Sequence, residues 1–190
     1  MAAHGRETNR AAQRAHTRRR IVEVSLDLFS RQGYASTSLK QISDELGLAK
    51  SAVYYHFQTK AQILDAITEP GYASAHALMT HLTTLTSRTE RYQALVTGFT
   101  EVLIASRAKA TLIAYDPAVR TQEPYLTLNI DLRERLLAAV YGPDVTHEAR
   151  YATFAAISLP EAIASSPELS DDDLRTLLTS LLTRLFPTPP

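Results

Sequence analysis

The sequence predicts an all-α protein, with an N-terminal helix-turn-helix domain of three helices followed by a C-terminal helical bundle, about nine helices in total. Three observations predict it. Apolar residues recur at helical spacing along most of the chain, with no alternating strand pattern to compete. Two short stretches with a one-sided apolar pattern, 39–46 and 50–57, flank a glycine, Gly47. Turn signals such as Asp116-Pro117 and Gly142-Pro143 cut the remainder into helix-length pieces.

Residues 1–15 carry Arg6, Arg10 and Arg14 without apolar periodicity and read as a flexible basic arm. A first helix is expected from near Thr17. It places Ile21, Val24 and Leu28 on one face, with Val22, Ser25 and Phe29 beside it, and it stops at Gly33. Ser38 and Gln41 have the spacing of a capping box, which opens a second helix with Leu39, Ile42 and Leu46 on its inner side. Gly47 permits a sharp turn, and a third helix over 50–57 turns Val53 and Phe57 inward. Thr59 caps a fourth helix carrying Ile63, Leu64 and Ile67, and Pro70-Gly71 predicts a kink or a break in it. Further helices are placed at about 72–86, 89–107, 109–116, 122–141, 146–165 and 170–186. The last has a strong start, because Ser170 precedes Asp171, Asp172 and Asp173, and carboxylates favour the positive end of a helix dipole. The chain thus divides into an arm (1–15), a helix-turn-helix domain (16–60) and a helical body (61–190).

With 45% hydrophobic and 21% charged residues, the 190-residue chain has the composition of a globular protein able to bury a core. The absence of cysteine excludes disulfides, thiol chemistry and cysteine-ligated metals. No window is apolar enough for a bilayer-spanning helix, and the N-terminus lacks the apolar core of a signal peptide, so a cytoplasmic location away from membranes is expected. The formal net charge of zero is a cancellation. Residues 1–60 hold ten Lys and Arg against five Asp and Glu, leaving the remainder with ten against fifteen. A basic front end on an acidic body suits a protein whose first segment meets phosphate.

Two short helices joined at a glycine, the second opened by a basic residue, are what is needed to lay one helix in a major groove. Small residues at Ser43, Gly47, Ala49 and Ala52 allow close approach, and Leu39, Ile42, Leu46, Leu48 and Val53 form the wedge that sets the angle. No catalytic constellation competes. The chain has no Gly-x-Ser-x-Gly elbow, glycine-rich phosphate loop or two-histidine metal helix, and His76 and His81, five apart, lie about 140° apart on a helix. No enzyme activity, cofactor or metal is expected. A helical adaptor or ligand-binding protein without DNA function is the alternative.

Ile21, Leu28, Phe29, Gly33, Tyr34, Ser38, Ile42, Gly47, Leu48, Lys50, Val53, Tyr54, Phe57 and Lys60 together resemble the N-terminal pattern of the TetR family of transcriptional regulators. The resemblance spans about residues 17 to 64. It implies a recognition helix at 50–57, with Lys50, Ser51, Ala52 and Tyr55 facing a DNA groove and Tyr54, His56 and Lys60 near phosphates. Ser38 and Arg19 join this candidate set. Arg19 belongs to the run Arg18-Arg19-Arg20, for which a solvated face and a contact with the DNA backbone or minor groove are both open. Tyr54 fits core packing equally well. Two positions depart from the family: Ala49 stands where a capping hydroxyl is frequent, and Ala52 where threonine is.

Beyond residue 64 the resemblance implies a helical body that dimerises through its last two helices and encloses a pocket for a small, mostly apolar effector. Tyr151, Phe154, Ile157 and Ile163, with Leu174, Leu177, Leu178, Leu181, Leu182 and Leu185, offer more apolar surface than one small bundle needs. Phe99, Tyr115, Tyr125, Asn129, Arg133, Tyr151 and Phe154 are candidate ligand contacts, since pockets combine apolar walls with a few orienting polar groups. The whole implies a homodimeric repressor released from a palindromic double-stranded DNA operator by its effector; an activator is the alternative.

Overall fold

The computed structural model describes residues 2–109, 112, 116–120, 125–143 and 145–188, with the side chains of 2–7, 108, 120, 125–130 and 132 left aside. Every regular element among them is helical, as expected. The chain folds as two compact units, Met1–Ile67 and Thr68–Pro190. The division therefore falls inside the fourth helix, beyond the boundary at residue 60 drawn from the sequence.

In the first unit, α1 (Ala2–Gln32) packs on α2 (Leu39–Leu46), α2 packs on α3 (Lys50–His56), and α4 (Lys60–Thr84) begins here. Ile21, Phe29, Ile42, Val53, Phe57 and Ile63 are almost completely buried and form its centre. Helix α1 starts at Ala2, so residues 2–15 are helical and not an irregular arm. Ala2, Ala3, Ala11, Ala12 and Ala15, with the arginines among them, have high helix propensity, and helix needs no apolar stripe where it has nothing to bury. Gly33 ends α1 with a φ of 90°, its N–H bonded to the Phe29 carbonyl at 2.9 Å.

The join between α1 and α2 is tied from α4. Lys60 Nζ donates to the Tyr34 and Ala35 carbonyls at 2.7 and 3.1 Å and lies 4.7 Å from the Tyr34 ring centroid. Tyr34 in turn meets Phe29 edge to face, with centroids 5.1 Å apart.

Helix α4 runs through Pro70 unbroken, contrary to the expected interruption. Proline removes only one intrahelical bond, and packing in the second unit holds the helix together. Gly71 is buried, and a Cβ there would stand 2.7 Å from Ser106 Oγ and 2.9 Å from Lys109 Nζ. The glycine serves close approach, not a turn. Lys109 is itself buried and donates to the Thr68 carbonyl at 2.8 Å.

The rest of the second unit comprises α5 (Arg88–Ala105), a 3₁₀ turn (Arg107–Lys109), α6 (Pro117–Arg120), α7 (Tyr125–Tyr141), α8 (His147–Ile157), α9 (Leu159–Ala164) and α10 (Asp171–Leu185). The helix expected at 109–116 falls largely outside the described residues. The single helix expected over 146–165 is divided at Ser158, because Pro160 has no N–H to give to an i−4 carbonyl and sits instead in the first turn of α9. Leu82, Leu95, Leu137, Ala149, Leu178, Leu182 and Phe186 make a continuous core. Tyr92 donates from its hydroxyl to the Thr183 and Phe186 carbonyls, and Tyr141 to that of Pro187, fastening the end of α10. At its other end Ser170 caps α10, accepting from the Asp173 N–H at 3.1 Å, as expected.

Two predictions follow from this packing. Burial pushes Lys109 down to about 8 from its ordinary 10.5, against an opposing pull from Glu69. Between those values the unfolded chain keeps a proton that the folded chain has released, so this residue makes the fold more stable as pH rises through that window. The Tm of wild type minus that of Lys109→Met therefore climbs from pH 8 to 10.5; a flat difference would mean that the lysine is not desolvated. Second, Ala49 gives α3 no side-chain cap. Ala49→Ser should add about 1 kcal/mol to the unfolding free energy in urea, and an unchanged midpoint would mean that those amides are already satisfied.

Candidate nucleic-acid interface

The geometry of α2 and α3 begins with their caps. Ser38 Oγ accepts from the Gln41 N–H at 3.2 Å while Gln41 Oε1 accepts from the Ser38 N–H at 2.7 Å, so the capping box read in the sequence is complete. Gly47 then adopts φ 64° and ψ 28°, a left-handed conformation that glycine enters at little cost. Its N–H bonds to the Asp44 carbonyl and that of Leu48 to the Ser43 carbonyl, which closes the turn. Ser43 is buried, and its hydroxyl is bonded within α2 to the Lys40 carbonyl. Ile42 and Leu46 of α2, Val53 of α3 and Phe57 at its end are all buried.

That packing decides what α3 presents. With Val53 and Phe57 fully inward, Lys50, Ser51, Tyr54 and Tyr55 are exposed, and Ala52 and His56 are half-buried beside them. Tyr54 is 40% and Tyr55 64% exposed, so Tyr54 is not core. Lys50 Nζ lies 5.3 Å from the Tyr54 centroid, and Tyr55 meets His56 edge to face at 5.2 Å. The face offers ammonium and hydroxyl donors for phosphate oxygens and guanine acceptors, and in Ala52 a methyl suited to thymine.

Two arginines of α1 complete it. Arg14 lies over the Tyr55 ring at 5.1 Å and Arg18 over the Phe57 ring at 4.1 Å. Burial first, then the charges of Arg14 and Arg18, lowers the His56 pKa below its usual 6.5, so this imidazole is neutral at pH 7. Sequence reasoning missed Arg14 as a member of this cluster and left Arg18 undecided. Their spacing of four, in register with Ser25, was the available signal, but it is visible only if α1 already includes residue 14.

The other sequence candidates are placed differently. Ser38 occupies the capping box, and Lys60 turns to the Tyr34 and Ala35 carbonyls. Arg19 is exposed on α1, about 100° around the axis from Arg18.

In the second unit, Phe99 is half-buried against Phe186, with centroids 6.2 Å apart. Tyr151 and Phe154 are 74% and 53% exposed, on the outer face of α8 with Ile157, and Leu177 and Leu181 are exposed on α10. Arg133 lies over the Phe154 ring at 4.3 Å, bonds to Glu134 at 3.3 Å, and has a buried Nε with no partner among the described residues. Tyr115 and the side chains of Tyr125 and Asn129 lie outside the described residues. Among those described, no helix is long and apolar enough to cross a membrane, and no group of three His, Asp or Glu residues could hold a metal.

Residues 21–67 match the family model for bacterial regulatory proteins of the tetR family. The chain is 42% identical over 64 residues to the HTH-type transcriptional regulator AcrR of Shigella flexneri, covering 34% of this chain and 29% of that protein. It is 26% identical over 72 residues to the probable acrEF/envCD operon repressor of Escherichia coli K12, covering 38% and 33%. These matches thus span about a third or less of either relative. The fold as a whole resembles that of SCO3833, a member of the TetR transcriptional regulator family from Streptomyces coelicolor A3, with a TM-score of 0.67 at 19% identity over 90% of both chains. Residues 21–67 are thus a segment of the tetR type, with the outer face of α3 exposed by its own packing, in a chain whose helical fold is that of SCO3833.

Proposed function

We propose that the protein is a sequence-specific DNA-binding repressor that acts as a homodimer and leaves its operator when a small, mostly apolar effector binds the second unit. The carrying observation is the outward face of α3, where Lys50, Ser51, Tyr54 and Tyr55 are exposed around a buried Val53. The direction, repression, follows the name of the Escherichia coli relative. Two recognition helices would enter successive major grooves on one face of a roughly palindromic site.

The dimer reading is supported by the apolar side chains exposed on α8 and α10, namely Tyr151, Phe154, Ile157, Leu177 and Leu181. On a free chain they form the kind of surface that two-fold partners cover. Tyr151 and Phe154, candidates for the effector pocket from the sequence, fit this outer face better. Phe99, Arg133 and the tyrosines at 115 and 125 remain the proposed pocket residues, with Asn129. Effector binding would be felt at α3 through α4, the helix that carries the chain from one unit into the other.

Selection of bound fragments from random duplexes tests the reading, which expects two inverted half-sites and two chains per site. On the selected duplex, Lys50→Ala should weaken binding by about 1–3 kcal/mol and relax specificity at one position. An equal loss on every sequence would move Lys50 to a phosphate, and a wild type that ignores all duplexes at low salt would sink the proposal. For the effector, DNA anisotropy measured across a panel of apolar metabolites should show release by at least one class; an unchanged signal throughout would remove ligand control from the account.

A further inference from the structure

Helix α1 is longer than the domain beneath it. Its buried stripe consists of Ile21, Ser25, Leu28 and Phe29, all above the first unit's core. Continued toward the N-terminus, the same stripe becomes cationic. Arg14 and Arg10, seven and eleven residues before Ile21, each lie within about 20° of it around the helix axis, and Arg18 lies equally close to Ser25. Arg10 and Arg14 are exposed. A solvated overhang has no reason to put its charges on the azimuth that faces the core further along.

The ridge is continuous with the recognition face. Arg14 sits over Tyr55, the most exposed aromatic of α3, and Arg18 over Phe57 at the end of that helix. From Arg10 to Arg18 the axis rises about 12 Å, the length of three to four base pairs of duplex.

We propose that the first half of α1 is a second DNA-binding element, a basic helical ridge that neutralises phosphates of duplex flanking the segment read by α3. The inference rests on the DNA-binding reading above and extends its footprint. Arg10 and Arg14 carry it without reading sequence, since guanidinium groups on phosphates add affinity and position but no base discrimination. The occupant is duplex DNA because the ridge borders the groove-facing tyrosine; an acidic protein or an anionic membrane would have no need of that adjacency.

The test uses the full chain and the duplex selected by the wild type, cut to the two half-sites or extended by about ten base pairs on each side. The wild type should bind the extended duplex at least tenfold more tightly, with a steeper salt dependence. The slope of log affinity against log salt grows by about 0.9 for each phosphate neutralised, so about two per chain for the pair of arginines. Arg10→Gln/Arg14→Gln, checked for retained helicity, should bind both duplexes alike and lose the extra slope, while Arg10→Lys/Arg14→Lys should retain the gain. Equal binding of both duplexes by the wild type, or a gain that survives in the Gln pair, overturns the ridge; if Lys50→Ala still weakens binding, the α3 reading stands without it. A wild type that binds neither duplex ends both.

Discussion

The burial of Ile42, Leu46, Val53 and Phe57, on and beside two helices packed across the Gly47 turn, is the constraint on which the rest depends. Helix α3 has only seven residues and no side-chain cap, so it is too short to persist by propensity alone. Burying Val53 and Phe57 is what makes it a helix, and the same burial leaves Lys50, Ser51, Tyr54 and Tyr55 no direction but outward. Structure and chemistry are thus coupled at one place. A side chain added to the Gly47 turn would meet no neighbour, but it would have to adopt a positive φ, so the pressure for glycine there is conformational.

Around this wedge the charges are divided by role. The cations of α1 and α3 gather beside exposed aromatic rings, where hydration is incomplete and phosphate could replace water. His56, in their midst, is kept neutral by burial and by Arg14 and Arg18, and so adds a ring and not a third repelling charge. Lys60 plays a structural part instead, its ammonium donating to the Tyr34 and Ala35 carbonyls of the turn, the first of which also accepts from the Thr37 N–H. In the second unit Lys109 plays a similar structural part, bonded to Thr68 and packed against Gly71.

What was legible in the sequence was whatever local chemistry decides. Ser38 with Gln41, Gly33, Gly47 and Ser170 before three aspartates each declare a helix end through a side chain or a backbone freedom that acts within four residues. The inward pair Val53 and Phe57 was equally plain from spacing. What escaped was set by context. Alanines and arginines before Thr17 are helical without any apolar stripe, so the length of α1 was hidden, and with it the place of Arg14 and Arg18. Pro160 divides α8 from α9 although the apolar pattern runs across it, and Pro70 fails to divide α4 because Gly71 is locked against Ser106 and Lys109. Tyr151 and Phe154 have the composition of pocket walls, and only the fold places them on an outer face.

The central claim is that α3 stands on its buried side and offers the other to a duplex. Oxidative side-chain labelling of the free protein and of its complex with a selected duplex tests this directly. Tyr54 and Tyr55 should react in the free chain and be protected in the complex, while Phe57 stays unreactive in both. Labelling of Phe57 in the free chain, or tyrosines equally reactive with and without bound DNA, would contradict it.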